Sequence, residues 1–421
     1  MQAQAIPLRR VILAGLIGNV MEWYDFAIYG YFAAIIGTQF FPSSDPRNSL
    51  LAAFGAFAAG FLVRPLGGVV LGSVADRLGR QRALMVSVLA MAAATVLMAI
   101  LPSYSRIGLA APLLMVLLRI LQGLSAGGEY STSIVFLAEH APAGRRGLVA
   151  IWGLWGSVLG ILLGSGVGAL LAAHLSEAQL SSWGWRIPFA LGLLVAITGL
   201  LLRRGLQGGT PPPQSLSPLR HTLSRHRGAV LRVMLLNIAS SVGFYTAFVY
   251  AVSYIETVDG MTVAFALELN TGVMGLLLMA FPLSAWLSDR IGRRPMLISG
   301  SALLLLGGVP IFLLLHSTTP ALLRQADVLL MLAVALLAGG KNPANVELMP
   351  AAVRCTGLAL AFNLAEGLFG GTTPLIASWL LTRFSNPLLP GVWLSLSGLI
   401  TLVTVLWFTP ETFKKTLETS P

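Results

Sequence analysis

Apolar runs of about twenty residues recur along the whole chain, each long enough to cross a ~30 Å hydrocarbon core as a helix. One such run could be buried in a soluble core, but a dozen in succession could not. Within a bilayer a helix satisfies every backbone N–H and C=O internally, so a stack of spanning helices is the economical fold for such a pattern. The spans fall at 11–36, 50–73, 83–102, 109–138, 148–173, 184–203, 229–255, 264–287, 295–316, 326–347, 355–382 and 389–409. Charged residues make up only 10% of the 421 positions, where a soluble domain carries about 25% and needs them to cover its surface. The expected fold is an all-α membrane protein with twelve transmembrane helices.

Twelve spans put both termini on one side. On that side the loops and tails hold nineteen Lys and Arg residues, against five on the other, so both termini are assigned to the cytoplasm. The net charge of +11 is therefore topology and not a nucleic-acid footprint. Arg9 and Arg10 before an apolar run imitate a signal peptide, but Glu22 and Asp25 interrupt that run and no small-x-small cleavage site follows. An uncleaved first helix is expected. Cys355 is the single cysteine, which excludes an internal disulfide.

The chain also repeats itself. "DRLGR" at 76–80 returns as "DRIGR" at 289–293, and "EHAPAGRR" at 139–146 returns as "ELMPAAVR" at 347–354. Two patterns in the same order and at nearly equal offsets mark a duplicated unit. The expected domains are an N-terminal six-helix half (1–203), a Pro-rich cytoplasmic linker (204–228) and a C-terminal six-helix half (229–421). Orientation alone would explain the loop arginines, but not Asp76, Asp289, Glu139 and Glu347 among them.

A duplicated twelve-helix chain with "GSVADRLGRQR" and "LSDRIGRR" resembles the major facilitator superfamily. "GNVMEWYDF", "FLVRPLGG", "RILQGLSAGGE" and "AFNLAEGLFGGTTPLIASWL" together resemble its metabolite:proton symporter family, which includes carriers of citrate, α-ketoglutarate, shikimate and proline/betaine. The resemblance implies a multi-pass transporter of the bacterial inner membrane that works as a monomer, with the proton as coupling ion and no metal or other cofactor. It also implies a latching role for the loop motifs, carried here to Asp76, Arg77, Arg80, Glu139 and Arg146, and to Asp289, Arg290, Arg293, Glu347 and Arg354. Drug-exporting relatives carry a Gly-Pro element on the fifth helix; its absence here favours uptake.

The charges inside the spans carry the chemistry. An intramembrane carboxylate costs about 2.5–3.5 kcal/mol at a helix centre, so its presence asks for a function. Glu22 and Asp25, three apart and expected on one face of the first helix, are candidate proton carriers, as are Glu129 and Glu366; the alternative for the first two is a structural ion pair. Arg119, about 15 Å into its helix, would fork onto either Asp25 or an anionic substrate that competes for it. Arg64, beside Pro65, is a second substrate ligand or a helix brace. Lys341 and Glu366 depart from the family pattern and either neutralise each other or leave Lys341 for substrate. Gln122 and Asn342 (with Asn345 and Asn363) offer neutral hydrogen bonds, and Trp23, Tyr24 and Tyr245 offer aromatic faces.

"GLSAG" at 123–127 imitates a hydrolase nucleophile elbow but lies within a span, so no enzyme activity is expected. Gly156, Gly160, Gly164 and Gly168 form a close-packing stripe, expected to be the moving seam between the halves. A sensor would need an attached signalling module, for which the tail "ETFKKTLETSP" is too short. The function expected is proton-coupled import of a small organic anion, a di- or tricarboxylate, through the lipid bilayer by alternating access. The alternatives are a zwitterionic osmolyte of the proline/betaine type or, less favoured, organic-acid export.

Overall fold

A computed structural model describes residues 8–68, 70–71, 80–139, 141–142, 144–203, 218–350, 353–415 and 417. Among them every regular element is helical. The helices that position the site are α1 (Leu8–Tyr31), α2 (Ala33–Phe40), α3 (Pro46–Leu62), α4 (Arg80–Ile100), α5 (Ala110–Ala126), α6 (Glu129–Glu139), α7 (Arg146–His174) and α8 (Arg186–Arg203). They continue with α9 (Arg227–Tyr245), α10 (Ala251–Thr257), α11 (Val263–Ile291), α12 (Arg293–Leu315), α13 (Pro320–Leu348), α14 (Arg354–Ala365), α15 (Thr373–Phe384) and α16 (Leu389–Val403). Seven continuous helical stretches among the described residues are long and apolar enough to cross a membrane, and shorter apolar helices accompany them.

The molecule is inverted relative to a soluble protein. Leu66, Ile100, Leu113, Leu170, Met279, Leu306 and Trp407 lie exposed on the outside, while Glu22, Asp25, Arg64, Arg119, Lys341 and Glu366 are all buried to 6% exposure or less. Apolar side chains meet lipid, and the costly charges are kept within the bundle.

Glycines set the helix spacing. Gly60 of α3 faces the Arg119 carbonyl of α5, Gly123 of α5 faces the Gly60 carbonyl, and Gly127 faces the Arg64 carbonyl. A Cβ at any of them would strike backbone, so "FLVRPLGG" and "RILQGLSAGG" are two halves of one close crossing. That crossing brings Arg64 and Arg119 into the same region. Gly156 and Gly160 of α7 press in the same way on Leu16 and Val20 of α1. Gly156, Gly160 and Gly164 therefore pack within the first half of the sequence, and of the stripe expected to be the seam Gly168 alone lies against the second half, at Leu267 of α11. Further contacts between α7 and α11 are polar: Ser165 Oγ shares a hydrogen with Thr271 Oγ1 (2.6 Å), and Trp155 Nε1 donates to the Leu278 carbonyl (3.1 Å).

Among the described residues, π-helical turns join α9 to α10 at Thr246–Tyr250 and α14 to α15 at Glu366–Gly370, and a further one at Thr404–Phe408 follows α16. Such turns shift helix register by one residue and occur often at functional sites. Tyr245 and Glu366 stand at the first two of these turns, with the side chain of each against Gly370.

Candidate functional site

Glu22 and Asp25 part company. Three residues rotate a helix by 300°, so the two carboxylates sit about 60° apart and meet different neighbours. Glu22 accepts a hydrogen bond from Arg64 Nη2 in a fully buried ion pair. Asp25 faces α4 and α8, where Oδ2 accepts from Thr95 Oγ1 (2.7 Å) and Oδ1 lies against Gly192. Their spacing keeps both on one broad side of α1, yet it does not give them a common partner.

Arg119 does not touch Asp25. Its Nη1 donates to Gln122 Oε1 (2.6 Å), Gln122 Nε2 donates to Thr95 Oγ1 (2.8 Å), and Thr95 reaches Asp25. The direct fork considered from sequence is replaced by a three-bond chain. The guanidinium itself lies 4.4 Å from the Tyr29 ring centre, 4.7 Å from Phe26 and 5.0 Å from Phe57. Its Nε and Nη2 find no partner within the protein. Tyr24 turns aside as well: its hydroxyl donates to the Pro188 carbonyl (2.8 Å) on α8, away from the chamber described next.

A packed aromatic cluster, called the chamber below, lies where α1, α3, α9 and the Glu366 turn meet. Tyr245 packs against Phe61 (5.2 Å between ring centres), Trp23 (6.2 Å) and Phe57 (6.2 Å), and Trp23 meets Phe244 edge-on (5.5 Å). Phe61 also lies against Gly367 and Gly371. Arg64 enters this cluster with its guanidinium 5.2 Å from Phe61, 5.5 Å from Phe26 and 5.9 Å from Trp23. Tyr130 stacks on Phe362 (4.4 Å), and Lys341 Nζ lies 5.9 Å over the same Phe362 ring.

Lys341 and Glu366 attract each other across the chamber but form no hydrogen-bonded pair. Glu366 Oε1 instead accepts from Ser241 Oγ (2.7 Å). The buried Arg64 Nε and Nη1, Trp23 Nε1, Tyr130 hydroxyl and both amide atoms of Asn342 have no partner within the protein. Each such buried group costs about 1–3 kcal/mol if left unsatisfied. Of the other amides, Asn345 and Asn237 bond each other (2.9 and 3.1 Å), and Asn363 Nδ2 donates to the Gly127 carbonyl (2.7 Å). They are structural.

At the end of the bundle where α7, α11, α12 and α13 meet, the repeated motifs pair with each other's copies. Arg146 of the first copy donates to Glu347 of the second (2.7 Å), and Arg354 of the second donates to Glu139 of the first (2.7 Å). Asp289 caps α7 by accepting from the Gly147 and Leu148 N–H groups (2.9 and 2.8 Å), where a carboxylate also meets the positive end of the helix. Arg293 bridges Asp289 (2.8 Å) and Glu347 (3.2 Å). Arg290 takes no part: it is exposed and stacked 4.1 Å from the Trp286 ring. Asp76 and Arg77 lie outside the described residues, as do the side chains of Arg80 and Glu129.

Sequence reasoning missed Thr95, Tyr130, Ser241 and Phe362. Thr95 gives a weak signal, because a lone threonine in an apolar helix ordinarily bonds its own i−4 carbonyl, and Thr95 also reaches that of Met91 (3.0 Å). Among the described residues no group of three or more His, Cys, Asp or Glu could hold a metal ion.

The family description "Sugar (and other) transporter" matches residues 11–206 and 213–421. The chain is 35% identical to the glycine betaine/proline/ectoine/pipecolic acid transporter of Dickeya dadantii over 98% of its length and 85% of that protein's. It is 36% identical to the citrate-proton symporter of Klebsiella pneumoniae, covering 92% of this chain and 88% of that one. A crystal structure of a D-xylose-proton symporter superposes with a TM-score of 0.77 at 23% identity, over 97% of this chain and 99% of that one.

Proposed function

The chain belongs to the major facilitator superfamily, in its metabolite:proton symporter family, and is a bacterial inner-membrane, proton-coupled carrier of a small organic solute; from that premise we propose that the solute is a zwitterionic osmolyte of the proline or betaine type. The observation that carries the proposal is the charge balance of the aromatic chamber. Arg64 and Lys341 are matched there by Glu22 and Glu366, within rings from Trp23, Phe61, Tyr245 and Phe362. A net-neutral solute leaves that balance intact. Its ammonium end suits the ring faces and Glu366, since aromatic rings recognise quaternary ammonium groups. Its carboxylate suits Lys341 and the open N–H groups of Arg64. The named substrates of the Dickeya relative point the same way.

A tricarboxylate would bring three further negative charges to a cluster in which Arg64 and Lys341 are matched by Glu22 and Glu366 and neighbouring Arg119 is linked to Asp25. The import of di- or tricarboxylates remains the second reading, favoured by the 36% identity to the citrate carrier and by the unpartnered donors on Arg64.

In this reading the helices form two six-span halves, 1–203 and 229–421, joined by 204–228, with both termini in the cytoplasm and the protein acting as a monomer. Asp25 takes a proton from outside and releases it inside. Glu22 and Arg64 brace the chamber, and the crossed pairs Arg146–Glu347 and Glu139–Arg354 latch the cytoplasmic end until the halves rock. The test is competition binding to the purified protein with radiolabelled proline as probe. Glycine betaine should displace it and citrate should not. Displacement by citrate but not by betaine would reverse the assignment.

A further inference from the structure

We infer that Thr95 and Gln122 are positioning residues that report the protonation state of Asp25 to Arg119; this rests on Asp25 being the proton carrier. Thr95 Oγ1 has one hydrogen and two lone pairs. Around it lie two acceptors, Asp25 Oδ2 (2.7 Å) and the Met91 carbonyl (3.0 Å), and one donor, Gln122 Nε2 (2.8 Å). The single hydrogen can serve only one acceptor well.

With Asp25 ionised, the charge-assisted bond takes that hydrogen. All donors then run one way, from Arg119 to Gln122 to Thr95 to Asp25, with the cation at one end and the anion at the other. Chains of this polarity strengthen their own members. Once Asp25 Oδ2 carries a proton it becomes a donor. The Thr95 hydrogen then swings to the Met91 carbonyl, and the two lone pairs receive Asp25 and Gln122. Thr95 keeps its own hydrogen, Asp25 gains one proton from outside and later yields it to the cytoplasm, and no bond between heavy atoms changes. Protonation thus removes the anion that polarises the chain, and Thr95 then donates to the neutral Met91 carbonyl, so the pull through Gln122 on Arg119 Nη1 weakens although both of its bonds persist.

Among the described residues, the charged and titratable groups around Asp25 are Tyr24 on its own helix and Arg119 on α5, with Tyr29, Tyr245 and Arg64 around the guanidinium. From α4 and α8 the neighbours are Thr95 and Gly192, which do not titrate. Tyr24 is held to Pro188. Thr95 is therefore the group placed to sense whether Asp25 carries its proton.

The experiment is pH-dependent infrared difference spectroscopy of the full-length protein in detergent, which follows the protonated-carboxyl band without any solute. Asp25→Asn assigns the band by deleting it. Thr95→Val keeps the shape and removes the donor, so its titration midpoint should rise by about 1–2 pH units, the worth of one hydrogen bond to a charged group. Thr95→Ser should keep the wild-type midpoint. Gln122→Met should move it the same way as Thr95→Val, which covers the case of a valine variant that fails to fold. A wild-type midpoint in Thr95→Val, or in Gln122→Met where the valine variant does not fold, overturns the relay while leaving Asp25 as proton carrier. If Asp25→Asn deletes no titrating band, the reading of Asp25 itself fails.

Discussion

Replacing Arg64 with methionine should destabilise the protein far more than replacing Arg64 and Glu22 together. Arg64 is 1% exposed, donates to Glu22 Oε1 and, at 3.4 Å, to the Ala126 carbonyl, and lies over three rings. Removing it leaves the Glu22 carboxylate buried without its cation. Breaking a buried pair from one side costs about 3–5 kcal/mol, whereas replacing both partners by apolar groups of similar volume is often nearly neutral. At 1.4 kcal/mol per tenfold, the single change should lower the folded-to-unfolded ratio by roughly a hundred-fold to a few thousand-fold. Arg64→Met with Glu22→Leu should recover most of that loss. The assay is a double-mutant cycle on denaturant unfolding in mixed micelles, where the coupling should exceed about 2 kcal/mol. The double variant should fold yet fail to accumulate solute, because the chamber has lost two of its charges. Additive losses, with the double variant as unstable as the sum of the singles, would refute the pairing.

The crossed latch should tolerate reversal better than interruption. Arg146→Ala should shift the population towards an inward-open form and alter transport rate more than solute affinity, and Arg146→Glu with Glu347→Arg should restore part of the wild-type distribution, as read by distance measurements between spin labels. Restoration is limited because Glu347 also serves Arg293 and the Thr412 hydroxyl (2.6 Å). At the opposite end, burial pushes the Asp259 carboxyl up to about 6, against the opposing hydrogen bond and charge of His316 (3.1 Å). A raised folded-state value means the folded protein binds that proton more tightly. This contribution to stability is therefore full below pH about 4 and lost as pH rises through about 6. Thermal unfolding of Asp259→Asn across that window should show a flatter pH dependence than wild type; an unchanged slope would assign the dependence elsewhere.

What the sequence made legible was the buried charges, and what it hid was which way each one turns and which neutral partners, such as Thr95, Ser241 and Phe362, meet them. Glu22, Asp25, Arg64, Arg119, Lys341 and Glu366 stand out because charge inside an apolar span is costly. Their partners do not follow from spacing. Glu22 and Asp25 differ by a 60° rotation, which is enough to send one to Arg64 and the other to Thr95. Arg290 and Arg293 occupy one short motif, yet the chain turns at Gly292 (φ 109°), so that Arg293 opens α12 facing inward while Arg290 stacks outside. The repeat foretold matching glutamates and arginines in the two copies, but pairing within a copy and pairing across copies leave the same trace in sequence. The glycine stripe on α7 signalled a close helix contact without saying that α1 supplies it. The aromatic chamber draws Trp23, Phe57, Phe61, Phe244 and Tyr245 from three helices far apart in the chain, a long-range convergence that local pattern does not encode.

The central claim is that a net-neutral solute crosses together with a proton, so each turnover moves positive charge. One elementary charge crossing 100 mV is worth about 2.3 kcal/mol, close to a fifty-fold concentration ratio. Proteoliposomes given an inside-negative potassium diffusion potential, with no pH gradient, provide the direct test. They should accumulate radiolabelled glycine betaine or proline, and a protonophore should abolish the accumulation. Accumulation of citrate under an imposed pH gradient, with betaine and proline ignored at any potential, would contradict it.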